Sequence, residues 1–198
     1  MRTTLIFFTG IALAAFAVSL APPLAPLLRY ERAAVLAGET WRLLSAHLTH
    51  LSWLHLLANL AALALLVLIL GRHARARTWL AVTLVSAFGV GAGLLWLSPE
   101  VEWYVGLSGV LHGLFIYGAV RAWPTRPRIA AFILVGIGVK LALEWAMELW
   151  AGDDWPTLAL AGPVITAAHR YGASAGVLAV GLFALGDYAR TAGTPRRR

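Results

Sequence analysis

The 198-residue chain is 60% hydrophobic and 13% charged, with mean hydropathy +0.77, net charge +7 and no cysteine. A water-soluble domain carries about 45–50% apolar and about 25% charged residues, so the composition excludes one. It also excludes a disulfide, a thiol nucleophile and a thiolate metal site.

A membrane-spanning helix takes about 20 apolar residues, and the charge-poor stretches predict six, in one compact membrane domain over 1–198. The fold class expected is an all-α six-helix transmembrane bundle. The first span, 3–20, ends in a signal-peptide-like Ala-Val-Ser-Leu-Ala, yet its basic n-region is Arg2 alone, so it reads as a retained helix. The long loop at 21–50 contains Pro22, Pro23, Pro26 and mixed charges, which suggest a partly structured element at the outer interface. His47 and His50 in that loop, like His73 further on, read as solvated or capping residues; without a third ligand they make a poor zinc site. No metal is expected.

The second span, 51–70, carries His55 and Asn59, four apart and therefore on one helix face. Donors converging beside a nucleophile make an oxyanion hole; taken alone, such a pair more often serves as hydrogen-bonding glue between helices. The third span, 78–98, has no charge, and the fourth, 104–120, holds Gly106-Leu107-Ser108-Gly109 and His112. Lys140 and Glu144 lie at i and i+4 in the fifth, 129–150, placed to neutralise each other. In the sixth, 164–185, His169 opens His-x-x-Gly-x-x-x-Gly with Gly172 and Gly176, a spacing that lets a neighbouring helix approach closely. Arg170 reads as a boundary residue that snorkels. Trp79, Trp96, Trp103, Trp123, Trp150 and Trp155 fall near span ends, as interfacial tryptophans do.

Lys and Arg are retained on the cytoplasmic side. With the N-terminus inside, that side receives eleven of the sixteen basic residues and a net charge of +10, including the tail at 186–198, while the outer side carries −4. The basic balance is thus a topology signal and not a nucleic-acid footprint. His55, Ser108 and His169 then come to one level, ~6–8 Å below the outer boundary at 1.5 Å per residue. A neutral imidazole beside a hydroxyl can take its proton and return it to a leaving amine. No Asp or Glu is expected at the depth of His169, so no triad is completed from the spans. A transporter would call for paired repeats or broken helices, which the sequence does not have.

These residues resemble the rhomboid intramembrane serine proteases. The matches are Glu39-x-Trp41-Arg42, His55-x-x-x-Asn59, Gly106-x-Ser108-Gly109 and Ala168-His169-x-x-Gly172-x-x-x-Gly176, in the family's order over 39–176. The resemblance implies Ser108 as nucleophile and His169 as general base in a dyad, with His55, Asn59 and the Ser108 N–H as oxyanion donors. Gly106, Gly109, His112, Gly172 and Gly176 support them, and no cofactor is needed. His112 stands where rhomboids commonly have a Tyr stacked on the histidine. The minimal length, the run Gly-Leu-Ser-Gly-Val-Leu-His-Gly-Leu and the Lys140–Glu144 pair are similar to the rhombosortase subgroup. That subgroup is linked to bacterial proteins with a C-terminal sorting tag. The implied partners are the lipid bilayer and a tagged transmembrane substrate, in a bacterial plasma membrane, with both termini cytoplasmic and the site opening outward. An inactive rhomboid-like binding or quality-control protein is the alternative; its mark would be loss of Ser108 or His169, and both are present.

Overall fold

A computed structural model describes residues 1–151 and 165–192, with side chains up to 150 and from 165 to 185. Expectations for Asp153, Asp154, Trp155 and the terminal Arg196, Arg197 and Arg198 lie outside the described residues.

Helix α1 (Arg2–Ser19) leads into the long loop, which is built from α2 (Ala25–Leu28), β1 (Tyr30–Glu31), α3 (Arg32–Leu36) and α4 (Arg42–Ser45). Arg42 organises this loop. Buried itself, its Nε donates to the Glu39 carboxylate at 2.7 Å and its Nη1 to the carbonyls of Pro26 and Arg29 at 2.8 and 2.9 Å. A buried guanidinium is tolerated when its donors are matched in this way.

Helix α5 (Trp53–Leu70) starts at Ser52, whose hydroxyl accepts the His55 N–H, the side-chain cap expected of a serine before an apolar run. Helix α6 (Ala76–Leu97) returns, and strand β2 (Trp103–Tyr104) pairs antiparallel with β1, Tyr30 opposite Tyr104. Helices α7 (Ser108–Ala122), α8 (Pro127–Ala151) and α9 (Thr166–Ala192) follow. Helix α8 opens on a proline, whose missing N–H costs nothing in a first turn. The chain is therefore an all-α membrane protein, in which four described helices, α1, α5, α6 and α8, are long and apolar enough to cross a membrane. The six predicted spans each coincide with a helix, but the fourth starts later than expected. Residues 104–107 are not helical, because Tyr104 is committed to the β pairing and Gly106 has φ 124°. The 15 residues of α7 reach only about 22 Å.

Helix α7 lies at the centre. Val110, Leu111, Leu114 and Tyr117 pack with Leu63, Leu66 and Leu70 of α5, Val82 of α6 and Ala179 of α9. Outward-facing residues are apolar too: Ile6, Leu13, Leu68, Phe132 and Leu143 are exposed, as expected where the solvent is hydrocarbon. Trp79 departs from its expected interfacial place. It is 0% exposed, its indole N–H satisfied by the Gly71 carbonyl at 3.1 Å and its ring edge-on to Phe8 and Tyr117. Trp96, Trp103, Trp123 and Trp150 are exposed.

Helices α7 and α9 meet backbone to backbone. A Cβ on Gly109 would lie 2.7 Å from the Ala168 carbonyl oxygen, and one on Gly113 2.6 Å from that of Gly172. Cβ atoms on Gly172 and Gly176 would run into the carbonyls of Gly109 and Gly113 in turn. The small-residue spacing read from the sixth span is therefore a helix–helix seam, and Ser108 and His169 sit beside its first contact.

Candidate active site

Ser108 is the first residue of α7, so its own N–H and the next few are amides without intrahelical partners, at the positive end of the helix. The turn leading to it is held from behind. The Gly106 carbonyl accepts the Tyr104 hydroxyl at 2.7 Å and faces His47 Nδ1 at 3.1 Å, while His47 Nε2 faces the Ala87 carbonyl at 3.1 Å. His47 is 3% exposed, not solvated as its loop position suggests. Burial pushes its imidazole below the ordinary value, and a neutral ring there has one N–H to donate, to the Gly106 or to the Ala87 carbonyl. His50 is similarly enclosed; burial first, and the neighbouring His55 second, bring it down to about 4.

The side chains of Ser108 and His169 meet across the α7–α9 seam, Oγ to Nε2 at 2.9 Å, with His169 buried. His112, one turn along from Ser108, stacks on the His169 ring with centroids 4.4 Å apart and planes 24° from parallel. Its Nδ1–H donates to the Ser108 carbonyl at 2.7 Å, so this ring too is held. The stacking matches what the sequence reading allowed for His112.

His55 and Ser108 line one cavity of about 420 Å³, together with Leu51, Ile165 and residues 100–105. The Leu51 N–H points at His55 Nδ1 from 3.5 Å, which makes Nδ1 the acceptor and leaves the proton on Nε2. A Cβ on Gly106 would sit 3.0 Å from that Nε2 and 4.0 Å from Ser108 Oγ. Gly106 is thus required twice, for its positive φ and for the space the His55 ring occupies. Asn59 is buried a turn further along, and its Nδ2 donates to the His55 carbonyl at 3.1 Å, with one amide hydrogen left over.

The expectation that no acid reaches His169 is overturned. Both carboxylate oxygens of Glu144 are 3.0 Å from His169 Nδ1. Lys140 pairs with Glu144, as the spacing predicts, and its Nζ also lies 3.1 Å from the same Nδ1. The acid was missed because counting residues gives the depth of a backbone, whereas a glutamate side chain reaches several ångströms along its helix. Arg170 is corrected likewise: it pairs with Glu148 at 2.7 Å and does not merely snorkel. Residues 140, 144 and 148 share one face of α8 by their i, i+4 spacing, which signals a seam facing charged partners.

Fold and site together define a polytopic membrane protein with a hydroxyl–imidazole pair set against a cavity. A Rhomboid domain model matches residues 37–185, about three quarters of the chain, and the protein belongs to the rhomboid family, whose members are generally intramembrane serine proteases. No curated protein matches the chain.

Proposed function

We propose that this protein is an intramembrane serine endopeptidase in which Ser108 is the nucleophile and His169 the general base. The observation that carries the reading is the 2.9 Å contact between Ser108 Oγ and His169 Nε2 beside a cavity shared with His55. Ser108 Oγ attacks the substrate carbonyl carbon, its proton passes to His169 Nε2, and the carbonyl electron pair moves onto oxygen. That oxyanion is received by the Ser108 N–H at the start of α7, the His55 Nε2–H and the free Asn59 amide hydrogen, donors worth about 2.7–4 kcal/mol each in hydrolases. Collapse expels the amine, which takes the proton from Nε2. A water deprotonated by Nε2 then releases the acyl group and restores Ser108.

The substrate is a single-span membrane protein cut near the outer face. A helical peptide bond is shielded by its own hydrogen bonds, so the chain must unwind first, and Gly lowers that cost by ~1 kcal/mol relative to Ala. The similarity to rhombosortases narrows the substrate to a C-terminal tag of a Gly pair, a hydrophobic helix and a basic tail. The tail's cations stay in the cytoplasm, which delivers the Gly pair to the level of Ser108. Two experiments test this reading. Purified protein is expected to react covalently with a fluorophosphonate, and Ser108→Ala is expected not to; equal labelling of both removes the nucleophile. Co-expressed with a tagged single-span reporter, the enzyme should release its ectodomain, and replacing the Gly pair by Leu should stop release. Undiminished release would leave the protease but remove the unwinding argument.

A further inference from the structure

Two groups compete for the same nitrogen of His169. Glu144 presents both carboxylate oxygens to Nδ1, and Lys140 presents its ammonium to it. A neutral imidazole carries one proton, and where that proton sits decides what Nε2 can do. With the proton on Nδ1, that N–H donates to Glu144 and the Nε2 lone pair is free to accept the Ser108 hydroxyl. With the proton on Nε2, the ring donates to Ser108 Oγ, its Nδ1 lone pair accepts from Lys140, and it cannot act as a base. The second arrangement would also set a lone pair against two anionic oxygens at 3.0 Å, which disfavours it.

Resting on the Ser108–His169 reading above, we propose that Glu144 is the positioning residue that fixes the base-competent tautomer of His169, with Lys140 holding the Glu144 carboxylate ionised in an apolar setting. The arrangement balances charge. Lys140 and Glu144 cancel at rest, and when Ser108 attacks, the imidazolium that forms is balanced by the oxyanion, so the cluster stays neutral while a proton moves within it. Charges inside a membrane need such a reason, since each costs of order 2.5–3.5 kcal/mol even on lenient scales. Among the described residues, the groups that face His169 are Ser108 and His112 from α7 and Lys140 and Glu144 from α8, with His55 of α5 in electrostatic reach, while Arg170 beside it is engaged by Glu148.

The test uses full-length protein in liposomes. Fluorophosphonate labelling of Glu144→Gln should show a maximal inactivation rate about a hundredfold or more below wild type, with half-saturating probe concentration unchanged within about threefold. Glu144→Asp should recover a substantial part of the rate. Magnetic resonance of protein labelled with 15N-histidine should place the His169 proton on Nδ1 in the wild type, the resonance being assigned by its absence from His169→Gln. A wild-type rate in Glu144→Gln, or an Nε2–H tautomer in the wild type, overturns the proposal. The wild-type spectrum decides even if Glu144→Gln does not fold. If Ser108→Ala labels like wild type, it is the nucleophile reading beneath that fails. If Ser108→Ala is silent while Glu144→Gln labels normally, that reading survives and Glu144 is only the counter-ion of Lys140.

Discussion

Ser108 and His169 act as one unit in the proposed reaction, so removing either should remove the whole of it. Ser108→Ala and His169→Ala are each expected to abolish cleavage of a tagged reporter, and the double variant to be no worse than either, because effects within a unit do not add. Measurable additivity would show that the two side chains serve separate steps. In the proposed reaction His112 would act through its ring, stacked on His169, an arrangement worth about 0.5–1.5 kcal/mol. His112→Ala should therefore slow fluorophosphonate labelling about 2- to 10-fold, and His112→Phe should restore most of the loss; equal rates for Ala and Phe would leave the ring no role. At this scale the sequence brought Ser108, His169 and His55 to one level by counting residues into their spans, and His112 to the face of Ser108 by its spacing of four. It did not carry His47, Trp79 or Glu144. A histidine in a loop and a tryptophan near a span end look exposed until a distant carbonyl is found for the ring N–H, and those carbonyls, Gly106 or Ala87 for His47 and Gly71 for Trp79, are set by tertiary folding.

The α7–α9 seam fixes the distance between Ser108 and His169, because the glycines in contact adjoin the two residues. Gly109 follows Ser108, and Gly172 is one turn beyond His169. A methyl group at Gly172 would meet the backbone of Gly109, which cannot swing aside as a side chain can. Gly172→Ala is expected to cost about 1–3 kcal/mol of stability, the usual range for overpacking, and to slow labelling of Ser108 at least about tenfold. Gly136 in α8 has open space at the same radius, so Gly136→Ala should leave thermal stability in detergent and labelling rate close to wild type. If both variants behave alike, the seam does not set the site. Small residues four apart were legible as a contact. The start of α7 was not, since hydropathy continues through 104–107 while a strand pairing and one positive φ take that segment out of the helix.

Over the whole molecule, the distribution of charge should set the direction in which the site opens. The cavity beside Ser108 is bordered by Glu100 and Glu102, whereas a second cavity, beside the first turn of α6 and the start of α1, is lined by Arg72, Arg75, Arg77 and Arg121. Basic residues are retained in the cytoplasm, so the acidic mouth is expected to face outward and the arginine-lined end inward. The native chain has no cysteine and is a ready background for accessibility labelling. Glu100→Cys in intact cells should react with a membrane-impermeant maleimide, and His73→Cys only after permeabilisation. The reverse pattern would put Ser108 near the cytoplasmic face. A substrate held by a basic cytoplasmic tail would then present its Gly pair a full bilayer, about 30 Å, away from the nucleophile, and the sorting-tag substrate would have to be abandoned even if Ser108 and His169 proved essential.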